Sequence, residues 1–191
     1  MLREVVLPGL RAQPGLRHAY AGRSGASDTG PRLVASVWEL DVAPGEPPAE
    51  LVSLLGFERS DAARDVALEV LPVALALPFE QPDEPRILRV FRGQTRAGEL
   101  DAYVEEVREG TYADVMAQHG PLALFLGIKR PDSFVTVSVW SAWEHIQAAT
   151  GGNLLAPIAT QHSERLIAGD ATHYEIVPNS LGTAGHPTVS G

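Results

Sequence analysis

The triplet Ser-Val-Trp occurs twice, at residues 36–38 and 138–140, each time closing a strand-like run that follows a similar upstream pattern. Residues 16–23, a polar turn and residues 33–38 are echoed by residues 122–130, a shorter turn and residues 134–140. Further on, Leu77-Pro78-Phe79-Glu80-Gln81-Pro82 is echoed by His173-Tyr174-Glu175-Ile176-Val177-Pro178. Internal similarity constrains the fold before any single motif does, because a repeated unit with one apolar face needs a second copy to cover it. The chain therefore divides into residues 1–82, residues 83–178, and a tail over 179–191 that lacks apolar periodicity and reads as mobile.

The second half carries the clearer pattern. Residues 86–92 alternate partly between Pro85 and Gly93, as a strand does. Leu100, Tyr103, Val104 and Val107 then recur at helical spacing, with Glu99, Asp101, Glu105, Glu106 and Arg108 on the other side. Gly110-Thr111 predicts a bend or break before the helix resumes over 112–119, and Gly120-Pro121 stops it. Two strands, 122–129 and 134–140, join through Arg130-Pro131-Asp132-Ser133. In the second, Val135, Val137 and Val139 share one face, while Thr136, Ser138 and Trp140 share the other. A short helix over 143–149 ends at Gly151-Gly152, a helical stretch covers 157–166, and a last strand covers 172–177.

Strand, helix, strand, strand, helix, strand is the ferredoxin-like order. The first half shows the middle hairpin and a closing strand near 74–80 but no opening strand or long helix, so its repeat is shortened. Helices are expected over 49–55 and 60–70, and a linker over 81–85. The expected class is α+β: two ferredoxin-like repeats, the first shortened, whose antiparallel sheets pack face to face as an α+β barrel. The barrel closes within one chain or by pairing two chains, and the missing elements favour a homodimer.

Composition narrows the functions. No cysteine is present, which removes disulfides, thiolate metal sites and cysteine nucleophiles. A net charge of -9 and the lack of basic clusters interleaved with aromatics exclude a nucleic-acid partner. No stretch is long enough to span a bilayer, and Pro8-Gly9 comes too early for a signal peptide, so a cytoplasmic protein with no membrane partner is expected. The six histidines have no metal-ligand spacing, and no metal is expected. Asp28-Thr29-Gly30 matches the short aspartic-protease signature, but it occurs once, inside a Gly/Ser-rich turn, and reads as turn chemistry.

The strand Val135-Thr136-Val137-Ser138-Val139-Trp140, the helix after it with Trp143 and Ile146, and the closing His173-Tyr174-Glu175 resemble the antibiotic biosynthesis monooxygenase superfamily of dimeric α+β barrels. The resemblance covers residues 86–178 and, more weakly, 14–82. It implies the barrel fold and the oxidation of a small aromatic, quinol or polyketide-type molecule by molecular oxygen without a cofactor. A deprotonated, electron-rich substrate can itself reduce oxygen, so the protein supplies a dry pocket, a base and orientation. The haem-degrading branch of the superfamily implies an Asn on the first strand, a Trp in the helix after the Val-Trp strand end and a later His. Here that strand has no Asn, Ala149 stands near the Trp position, and His162 is the nearest histidine, so haem is disfavoured.

The candidate base is His162, beside Gln161, Ser163, Glu164 and Arg165. The candidate ligand contacts are Trp140, Tyr103, Tyr112 and Trp143. Each has a plainer reading: an exposed histidine, a tryptophan anchoring a sheet, tyrosines packed on a helix. The competing function is a non-catalytic module that binds a small apolar or aromatic molecule or serves assembly. His173 and Tyr174, adjacent on one strand, point to opposite faces and cannot form a dyad.

Overall fold

The computed structural model describes residues 15–24, 32–38, 69–79, 83–117, 119–158, 162–177 and 182–183. The helix expected over 49–55 and residues 60–68 of the one expected over 60–70 lie outside these residues. Among the described residues the strands are β1 (Leu16–Arg23), β2 (Arg32–Trp38), β3 (Val73–Pro78), β4 (Ile87–Thr95), β5 (Ala123–Lys129), β6 (Ser133–Trp140), β7 (Leu166–Ile176) and β8 (Gly182–Thr183). The α-helices among the described residues are α1 (Leu100–Met116) and α2 (Trp143–Ala149). The class is α+β, as the sequence implies. The chain forms two compact units: one contains residues 22–32 and 71–176, the other residues 1–21, 33–70 and 177–191. Among the described residues no helix is long and apolar enough to cross a membrane.

In the larger unit, β4-α1-β5-β6-α2-β7 runs in the expected ferredoxin-like order, and its strands lie in the order β7-β4-β6-β5. Both edges of this four-stranded sheet are paired. The end of β1 pairs antiparallel with β7 through Gly22↔Ile176 and Arg23↔Glu175, and β3 pairs antiparallel with β5 from Val73↔Gly127 to Pro78↔Ala123. These pairings satisfy backbone groups that an open edge would present to other chains, along β5 and at the end of β7. In the smaller unit β2 lies beside β1, and Gly182–Thr183, within the stretch read as a tail, pairs with His18 and Ala19.

Period-two alternation sorts the larger sheet into two faces. Ile87, Phe91, Phe134, Trp140, Leu124, Leu126, Leu75, Leu77 and Ala171 pack with Leu100, Tyr103, Val104 and Val107 of α1 and Ile146 and Ala149 of α2. Thr136, Ser138 and Trp140 are thus the helix-covered set of β6, and all three are buried. The Ser-x-Trp spacing has a local reason. Residues two apart share a face, so the indole Nε1–H of Trp140 donates to Ser138 Oγ at 2.8 Å, and that of Trp38 donates to Ser36 Oγ at 2.8 Å. The pairing leaves no buried indole donor unsatisfied, a condition for placing Trp in a core.

Two sequence expectations are corrected. First, α1 runs unbroken through Gly110 and Thr111. A helix-interior glycine costs only about 1 kcal/mol against alanine. Burying Tyr103, Val104 and Val107 on one stripe contributes more than that, at about 1.5–3 kcal/mol per large side chain. Second, the described residues of the stretch 157–166 form no α-helix: Ser163–Arg165 is a 3-10 turn, and β7 starts at Leu166, six residues before the strand expected over 172–177. Pairing with β4 pulls the segment into the sheet, from Thr95↔Leu166 through Gly93↔Gly169 to Ile87↔Glu175. The two opposed glycines are required there, because a Cβ on Gly93 would overlap the Phe134 ring and one on Gly169 the Phe91 ring.

Candidate functional site

The helix-covered face is apolar at one end and polar at the other. At the apolar end Phe134 lies against Tyr103 with ring centroids 4.5 Å apart and against Phe91 at 5.9 Å, which fills the space that the two glycines leave. At the other end the cross-strand row Ser138–Arg89–His173 places three polar side chains on the same face of β6, β4 and β7. Arg89 is 1% exposed and Ser138 0%.

Arg89 is the unusual member. A guanidinium stays charged in proteins, and taking it out of water costs several kcal/mol unless a carboxylate or several hydrogen bonds compensate. Among the described residues no carboxylate pairs with it. Its Nη2 donates to the carbonyl of Ala156 and, at 3.5 Å, to that of Leu154, and its Cζ sits 5.3 Å from the centroid of the Phe91 ring. Its Nε is buried without a hydrogen-bond partner. Burial pulls its pKa down to about 10, a drop that nearby Tyr103 opposes, so the group remains cationic at neutral pH. The loop that supplies the carbonyls leaves α2 through Gly151 and Gly152, at φ 62° and 89°, left-handed values that few other residues adopt. Ile158 then anchors the loop in the core.

His173 sits beside Arg89 and opposite Trp143, whose ring centroid is 5.2 Å from the imidazole. Its Nε2 is also buried and unpartnered. Desolvation, and secondarily the Arg89 charge, lowers its pKa below the ordinary 6.5, so it is neutral at physiological pH. Tyr103 has its pKa pushed well above the ordinary range by burial, with Arg89 opposing the rise and Glu106 adding to it; it is a phenol and not a phenolate. A fixed cation, a neutral imidazole with a free nitrogen and a half-exposed indole converge here. Such a site can attract an anion, accept a proton and stack a flat ring.

The structure brings only part of the sequence-derived candidate set to this place. Trp143 borders it, and Tyr103 reaches it from α1 by way of its electrostatic contact with Arg89. Trp140 is wholly buried and bound to Ser138, a neighbour of Arg89 in the row. Tyr112 is half exposed on α1, edge-on to Phe79 at 5.6 Å. His162 lies at the protein surface: its backbone N–H donates to Glu106 Oε1 at 2.6 Å, and its Nδ1 lies 3.2 Å from Glu164 Oε1. Sequence reasoning missed Arg89. The signal was an arginine at an inward position of a central strand, where alternation calls for an apolar residue. Elsewhere Ser141 Oγ lies 3.1 Å from His145 Nδ1, one turn apart at the start of α2, with the His119 ring 6.2 Å from that of His145. This is a local contact that no third group extends within hydrogen-bond reach among the described residues.

No family model matches the chain, and no curated protein matches its sequence. Solved structures do match. A candidate monooxygenase from Lactobacillus acidophilus NCFM superposes with a TM-score of 0.60 at 12% identity, over 96% of this chain and 90% of that one. A candidate monooxygenase from Fusobacterium nucleatum subsp. nucleatum ATCC 25586 gives 0.57 at 10% identity, over 96% and 85%. An anthrone oxidase-like protein gives 0.55 at 13% identity, over 97% and 86%. At such identities the likeness is one of fold.

Proposed function

We propose that this chain is a monooxygenase-like enzyme that oxidises a small aromatic, quinol or polyketide-type molecule with molecular oxygen and no bound cofactor. One observation carries the reading: a buried, carboxylate-free guanidinium next to a neutral imidazole, on the helix-covered face of a fold shared with proteins named as monooxygenases. The name of the anthrone oxidase-like neighbour supports the aromatic class. Retaining an unneutralised buried charge is costly, and the cost is recovered when an anionic substrate is bound. That anion is the form that gives electrons to oxygen. For a doubly activated methylene the overall change balances as CH2 plus O2 to C=O plus H2O, one oxygen atom going to product and one to water.

The residues fit haem poorly: β4 has no Asn, Ala149 is buried in the core, and His162 is engaged by Glu164. The repeat reading is supported by matching features, the indole-to-serine bond in both hairpins and a closing strand of each half on a hairpin edge, β7 on β1 and β3 on β5. Among the described residues β1 pairs with β7 only through Gly22 and Arg23, which leaves the homodimer expected from the sequence as part of this reading. The test is an oxygen electrode with a panel of quinols and anthrone-type substrates, followed by isotopic labelling. Uptake above buffer, with one atom of O2 in the product, is expected. No uptake with any member would leave the non-catalytic binding module as the better description.

A further inference from the structure

Arg89 Nε and His173 Nε2 are both shielded from solvent and both lack a hydrogen-bond partner. They belong to directly opposed residues of neighbouring strands, so the β4–β7 register starts the two side chains next to each other on one face. The guanidinium is held in place, because its Nη2 donates to the carbonyls of Leu154 and Ala156 and its Cζ lies 5.3 Å from the centroid of the Phe91 ring. One nitrogen is an obligatory donor. The other, in the tautomer protonated at Nδ1, is an acceptor.

We infer that Arg89 Nε and His173 Nε2 form an oxyanion site for the acidic hydroxyl of a phenol or enol, with Trp143 stacked on its ring. This rests on the functional reading above and names its substrate class. Arg89 Nε–H donates to the substrate oxygen while His173 Nε2 takes the hydroxyl proton: the O–H bond breaks, an N–H bond forms, and no electron changes hands. A donor beside an acceptor matches an oxygen that still carries a proton. A carboxylate or phosphate would present His173 with a second lone pair. The other charged or titratable groups facing the pair are Tyr103 of α1, with Glu106 behind it, and Glu175 of β7, which is paired with Arg23 at 3.6 Å. α2 brings the uncharged Trp143.

The test uses 4-nitrophenol, which does not react with oxygen and turns yellow on ionisation. Titrated into the wild-type protein about one pH unit below its free midpoint, the bound probe is expected to be yellow, its ionisation favoured at least tenfold, a shift of about one pKa unit. Calorimetry in buffers of different ionisation enthalpy should find almost no proton released, since His173 keeps it. In His173→Phe the anion should still bind, but one proton should reach the buffer. Arg89→Met should lose the shift. Arg89→Lys, which keeps the charge and guards against misfolding, should lose most of it, with circular dichroism confirming the fold. A colourless bound probe, or benzoate binding as tightly as the phenol, overturns the assignment. An ionised probe with no oxygen uptake on any quinol would sink the oxygenase reading and leave the oxyanion site standing. Uptake with a colourless probe would do the reverse.

Discussion

The two ends of the helix-covered face are built from the same strands and obey opposite rules. Around Phe91, Phe134 and Tyr103 the rings pack in contact, and two glycines leave room for rings to lie against the sheet. Around Arg89 and His173, a few residues along the same strands, a charge and two unpartnered nitrogens are buried. The first arrangement lowers the free energy of the folded state. The second raises it, which selection tolerates where a ligand makes up the difference. Stability and activity should therefore separate along one strand, β4, between Phe91 and Arg89.

The sharpest break of that comparison is truncation at the apolar end. Phe134→Ala should cost about 3–5 kcal/mol, read from urea unfolding, because the ring and its packing on Tyr103 vanish together. Gly93→Val should follow, at about 1–3 kcal/mol or more, since its branched side chain must displace the Phe134 ring. Arg89→Met should do the opposite: oxygen uptake disappears, while stability changes by less than about 2 kcal/mol in either direction. A loss as large as that of Phe134→Ala would mean that Arg89 is a structural clamp for the loop at Leu154 and Ala156.

The pH dependence probes the polar end alone. His173 has a folded pKa below its unfolded value of 6.5, so the unfolded chain takes up the proton first as pH falls. Its contribution is flat above that value and is lost as pH drops from 6.5 toward the folded pKa. His173→Phe should flatten this part of the stability curve, as measured by thermal melts across pH. The smallest effects belong to the exposed candidates. His162→Gln and Tyr112→Phe should each change stability by less than about 0.5 kcal/mol and leave oxygen uptake within twofold of wild type. A large loss of uptake in His162→Gln would return the base to the surface site.

Much of the order and type of the elements was legible. β1, β2, β5, β6 and α2 stand where period-two runs, turn residues and the Gly151-Gly152 stop placed them. The errors came where a local signal met a long-range one. Gly110-Thr111 looks like a break to a reader of single residues, yet the buried stripe on either side holds α1 straight. Residues 166–171 contain a glycine and an aspartate and carry no strand alternation, yet five pairings with β4 make them a strand. The site was less legible than the fold. Trp143 and Tyr103 were recognised as aromatic candidates, but Arg89 looked like one more charged residue in a partly alternating strand.

The sequence by itself determined the ferredoxin-like order of elements and the two Ser-x-Trp strand ends, because these follow from periodicities and contacts spanning a few residues. Only the tertiary structure decided which polar residues share a place. Arg89 and His173 are far apart in sequence and meet through the β4–β7 register, and Leu154 and Ala156 reach Arg89 through a loop turned back by two left-handed glycines. The consequence of burial for a charge depends on what surrounds it in three dimensions, and no local pattern encodes that.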